Sequence, residues 1–90
     1  MDKDTKFCSP PQVMSRLVGE ETIILDLESG MYFGLDGVGK RIWDAVSEGN
    51  TLSETVDIVA TEYEVEEDQA AADFVEFAND LLDRGLLKIA

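Results

Sequence analysis

The order of segments in this sequence predicts an α+β domain: a three-stranded antiparallel β-meander followed by three helices packed on one face of the sheet. Three observations carry that expectation. Residues 13–35 are rich in β-branched and apolar side chains and are broken twice, at Gly19-Glu20 and at Glu28-Ser29-Gly30, by residues suited to tight turns. Residues 36–84 instead carry apolar side chains at helical spacing between capping residues. A chain of 90 residues with 44% hydrophobic content can fill one core and not two.

Met1 to Gln12 holds charges, Cys8 and Pro10-Pro11, and proline is excluded from the interior of a central strand or helix. Residues 1–12 are therefore expected to form a flexible arm ahead of a domain spanning 13–90. The first strand is predicted over Val13 to Val18, with either face possible for Val13, Ser15 and Leu17. The second runs from Glu21 to Leu27, where Ile23, Leu25 and Leu27 alternate with Thr22, Ile24 and Asp26. A three-residue loop of Glu28, Ser29 and Gly30, with Gly30 in left-handed backbone, then sets Leu27 opposite Met31, Leu25 opposite Phe33 and Ile23 opposite Leu35. That register gathers all six apolar side chains on one face, whereas a one-residue slip would scatter them. Tyr32 and Gly34 then face the other way.

Asp36 is placed to cap a first helix that carries Val38, Ile42, Trp43 and Val46 and stops near Gly49. Trp43, in step with Ile42 and Val46, is expected in the core. Thr51 with Glu54 forms a capping box for a second helix through Leu52, Val56, Val59, Ala60 and Tyr63. Val65 lies in the link to a third helix from about Glu66 to Arg84, closed by Gly85 and followed by the apolar tail Leu86-Leu87-Lys88-Ile89.

Composition excludes several function classes. The chain has no histidine, the usual general base near neutral pH, and no enzymatic activity is expected. One cysteine, Cys8, and no histidine cannot assemble a four-ligand zinc site or an internal disulfide, so neither metal nor cofactor is expected. The net charge of −13 repels phosphates and argues against nucleic-acid partners. The helices joined across Ser47-Glu48-Gly49-Asn50 resemble a helix-turn-helix, but the third helix sets Glu66, Glu67, Asp68, Asp73, Glu76, Asp80 and Asp83 against Arg84 alone. Gly37-Val38-Gly39 lacks the pattern and the βαβ setting of a phosphate loop and reads as relief for a sharp strand-to-helix turn. No apolar run is long enough to span a bilayer, and the polar N-terminus is unlike a signal peptide, so a cytoplasmic protein with no membrane partner is expected.

Two features point to a binding surface. In the third helix Ala70, Ala71, Phe74, Val75, Phe77, Ala78, Leu81 and Leu82 cover an arc of roughly 160°, wider than the stripe of about 100° that one ordinary contact needs. The surplus is either a second core contact or the edge of an apolar groove. In a meander, Met31-Tyr32-Phe33-Gly34-Leu35 is an edge strand, and it carries none of the Lys, Pro or charge that blunts natural edges. The edge is covered by the tail after Gly85, by a second copy of the chain in a strand-exchanged dimer, or by an extended partner strand.

Leu25-Asp26-Leu27-Glu28-Ser29-Gly30-Met31-Tyr32-Phe33-Gly34-Leu35-Asp36, then Val38-Gly39 and Arg41-Ile42-Trp43, resemble the signature segment of PqqD-like proteins. The Thr51-Leu52-Ser53-Glu54 helix start, Tyr63-Glu64-Val65 and the ending Phe77 through Leu81-Leu82-Asp83-Arg84-Gly85-Leu86-Leu87 fit the same family, so the likeness covers about residues 13 to 89. It implies a winged helix-turn-helix-like domain that binds the leader of a ribosomally made precursor peptide without catalysis. The leader is implied to add beside the third strand and lie against the third helix, at Met31, Tyr32, Phe33, Gly34, Leu35, Ala70, Asp73, Phe74, Phe77 and Leu81. Members of this type serve PQQ biosynthesis with a radical SAM protein, or lasso-peptide biosynthesis with a leader peptidase. The Tyr32-Phe33-Gly34-Leu35-Asp36 run looks closer to the lasso type. Other relatives have no known peptide, which leaves a self-associating structural or regulatory module as the alternative.

Overall fold

The computed structural model describes residues 1–90, which form β1 (Phe7–Cys8), β2 (Val13–Val18), β3 (Glu21–Asp26), β4 (Tyr32–Leu35), α1 (Gly37–Ser47), α2 (Leu52–Glu62), α3 (Glu67–Asp83) and β5 (Lys88–Ile89). β2, β3 and β4 make the expected antiparallel meander, in that order across the sheet. Its turns use left-handed glycines, Gly19 at φ 64° and Gly30 at φ 76°, a region closed to most side chains by Cβ contacts. The three helices follow, so the α+β class stands.

The register of the second hairpin differs from the expected one by one residue. Ile24 pairs with Phe33, Leu25 with Tyr32 and Ile23 with Gly34. Asp26 determines this. Its carboxylate accepts from the Glu28 amide at 3.0 Å and its carbonyl accepts from the Gly30 amide at 2.8 Å, so the turn starts one residue early and the loop holds Leu27 through Gly30. Because side chains alternate with a period of two, the slip exchanges the faces. Thr22 and Ile24 are buried and Phe33 and Leu35 half-buried against the helices, while Ile23, Leu25 and Tyr32 lie on the opposite face. Met14 and Val18 join them there from β2, leaving a largely apolar outer face on which Met14, Val18 and Tyr32 are exposed.

The helices form as their caps direct. Thr51 and Glu54 make a reciprocal capping box at the start of α2, and the ordered hydrogen bonds hold the Glu54 carboxylate below its usual titration range. Asp36 stands at the N-cap of α1 without a side-chain cap bond; the left-handed Gly37, at φ 55°, makes the turn. Trp43 is buried as expected, and the core joins Ile24 to Ile42, Val46, Val56, Val59, Phe74, Ala78, Leu81 and Leu86.

The N-terminal segment is not the loose arm expected from its prolines and charges. Phe7 is 3% exposed and packs its ring 5.6 Å from that of Phe74. β1 pairs with β5 in a separate two-stranded sheet, Phe7 opposite Ile89 and Cys8 opposite Lys88. The carbonyls of Thr5 and Lys3 accept from the Leu52 and Ser53 amides at 2.8 and 3.0 Å, two of the donors that a helix start leaves without a partner. Burial of one aromatic ring and use of those donors outweigh the cost of ordering a short segment.

Candidate functional site

β4 has a neighbour on one side only, since the tail after Gly85 pairs with β1 instead. The polarity of the free side follows from one bond. The Asp26 amide donates to the Met31 carbonyl at 2.9 Å, and in an antiparallel ladder bonded and non-bonded pairs alternate. Phe33 and Leu35 therefore turn their backbone groups toward β3. Tyr32 and Gly34 turn theirs outward. A strand added there would pair with Tyr32 and Gly34, and its intervening side chains would point to the same face as Phe33 and Leu35.

That face meets α3. The Arg84 guanidinium lies 5.3 Å above the Phe33 ring, and a Cβ on Gly39 would come within 3.1 Å of the Phe77 ring. These two contacts lay α3 alongside β4 and the start of α1 in the opposite direction. Beyond the end of β4 opens a groove of about 530 Å³ lined by Val38, Gly39, Ile42, Asp73, Glu76, Phe77 and Asp80. Its floor is apolar and its α3 rim is acidic. Gln69 donates to the Asp73 carboxylate at 2.9 Å, and Asp80 accepts from Arg84 Nε at 3.1 Å.

The expected site residues divide in two. Met31, Tyr32, Phe33, Gly34 and Leu35 lie along the free edge, and Asp73 and Phe77 line the groove. Ala70, Phe74 and Leu81 do not reach it: each is at most 3% exposed and belongs to the core, so much of the apolar arc on α3 serves contacts with the sheet and the other helices. Sequence reading missed Val38, Gly39, Ile42, Glu76 and Asp80 as lining residues. Only Gly39 carried a signal, and its glycine was assigned to backbone freedom when its use is to admit the Phe77 ring.

The sequence pattern described as Coenzyme PQQ synthesis protein D (PqqD) matches residues 21–87. The chain belongs to the PqqD family. Two solved structures resemble this PqqD-family chain over nearly their whole lengths. "TbiB1 in Complex with the TbiA(beta) Leader Peptide" is 36% identical with a TM-score of 0.85, covering 89% of this chain and 93% of that one. "Lasso peptide synthetase B1 complexed with the leader peptide" is 23% identical with a TM-score of 0.86, covering 92% and 98%, and bears on the fold. No curated protein sequence matches this PqqD-family chain.

Proposed function

We propose that this chain is a non-catalytic recognition element that binds the leader of a ribosomally made precursor peptide and presents it to the enzyme that processes it, in a lasso-type pathway. The observation that carries this reading is the free, unblunted edge of β4 beside the groove on α3, in a family whose 36% identical relative TbiB1 was solved with a leader peptide. The leader adds antiparallel to β4, bonded to the outward groups of Tyr32 and Gly34, and its apolar side chains enter beside Leu35 and Phe77. Backbone pairing tolerates many sequences, so specificity rests on two or three apolar anchors. The absence of histidine from the sequence leaves the domain without the usual proton-transfer group, which supports a binding role without cofactor. The charge of −13 supports a peptide over a nucleic-acid partner.

Phe77→Glu puts a charge on the groove wall at a half-buried position. With the TbiA(β) leader as probe, binding is expected to weaken by at least about 1.4 kcal/mol, tenfold in affinity, with an unchanged circular dichroism spectrum. Equal affinity in a folded variant would remove the groove from the reading.

Presentation requires a second surface. The outer face of the sheet carries Met14, Val18, Ile23, Leu25 and Tyr32 together with the charged Arg16 and Glu21, is partly exposed and is continuous with the edge through Tyr32. We assign it to the processing enzyme, a leader peptidase. Met14→Glu should keep leader affinity while losing stimulation of that peptidase; undiminished stimulation would refute the assignment.

A further inference from the structure

Arg84 is the only cation in or beside the exposed acidic row of α3, and it stands where α3 meets the binding edge. Its guanidinium carbon lies over Phe33, 5.3 Å from the ring centroid, and Nε donates to Asp80 at 3.1 Å. No protein acceptor takes the remaining guanidinium donors, and the side chain is 49% exposed. An arginine held on an aromatic face with most of its fork free is prepared for a carboxylate, since little further rotamer freedom is lost when one binds.

Resting on the leader reading above, we propose that Arg84 is a specificity-determining residue that selects an acidic side chain at one position of the bound leader. The position follows from the strand geometry. A peptide antiparallel to β4 runs from the Leu35 end toward the Met31 end, and its residue facing Phe33 points to the side where Arg84 lies. Farther back, toward its N-terminus, the peptide passes Asp80, Glu76 and Asp73. A carboxylate there meets like charge in a groove with no compensating cation, so acidic residues are rejected along the groove and accepted only beside Phe33. The net charge of the domain alone would disfavour acidic leaders at every position. Arg84 turns that uniform preference into a positional one.

Selection from a display library of random linear peptides, with wild type, Arg84→Gln and Arg84→Glu as baits, tests this. All three baits should enrich the same spaced apolar anchors. Wild type should add Asp or Glu at one position C-terminal to them, Arg84→Gln should lose that preference, and Arg84→Glu should replace it with Lys or Arg. In resynthesised peptides, Glu over Gln at that position should bind wild type about fivefold tighter and Arg84→Gln equally, a coupling that a purely structural role for Arg84 would not produce. Common anchors with no change in charge preference among the baits would overturn the role of Arg84 and leave leader binding standing. No enriched motif with any folded bait would overturn both.

Discussion

Thr55 is fully buried in α2, and its hydroxyl has no hydrogen-bond partner. A buried donor without a partner costs free energy, and valine keeps the shape and nearly the same helix propensity. Thr55→Val should therefore stabilise the domain by about 1 kcal/mol in urea unfolding, with leader binding unchanged; a loss of stability would mean that the hydroxyl is satisfied within its own helix. Gly39 illustrates the opposite case, a residue that acts through what it lacks. Its hydrogen faces the Phe77 ring, where a methyl group would sit 3.1 Å from the nearest ring carbon and push the groove wall aside. Reading that from sequence would require knowing which ring arrives from a helix two elements later. The same holds for Arg84, whose partner Phe33 lies in a strand.

Among the elements, β1 is the one whose removal tests the packing most directly. Phe7→Ala empties a buried ring site against Phe74 and should destabilise the domain by roughly 3 kcal/mol. A change below about 0.5 kcal/mol would return this segment to the status of an arm. Helix positions were legible because caps and periodicity are local: Thr51 with Glu54, Gly49 and Gly85 mark their boundaries without reference to the rest of the chain. Strand register was not. Alternation favoured the register that gathers six apolar side chains on one face and misled, because β3 is apolar on both faces, with Ile23 and Leu25 on one and the buried Ile24 on the other. The decision fell to the Asp26 carboxylate in the turn, and the discarded register would have buried the face now assigned to the processing enzyme. Pro10-Pro11 misled in a similar way, because prolines end a strand without preventing the residues before them from forming one.

At the scale of the whole molecule, charge dominates. Twenty acidic residues face seven basic ones, and three ion pairs, Lys40 with Asp44, Arg41 with Glu62 and Arg84 with Asp80, leave most carboxylates opposed only by solvent. Salt should therefore raise the melting temperature, as shorter screening lengths weaken the self-repulsion. The neighbouring Asp57 carboxylate of α2, as acceptor to the protonated form and as a like charge to the ionised one, raises the Glu67 titration above its ordinary range. A raised carboxylate binds more protons when folded, so stability increases as pH falls from neutral through that raised value. Glu54, depressed by its cap, works the other way, and its contribution persists until pH falls through its lowered value. Thermal melts should peak at mildly acidic pH; a maximum at or above neutrality would contradict the balance of these effects. The pairing of β1 with β5 has a mechanical meaning. Phe7 lies opposite Ile89 and Cys8 opposite Lys88, so both ends of the chain leave the little sheet from the same side. Tension between the ends would load its bonds one after another, unzipping the pair and drawing Phe7 from the core while the β4 edge and the α3 groove, outside the line of force, still stood.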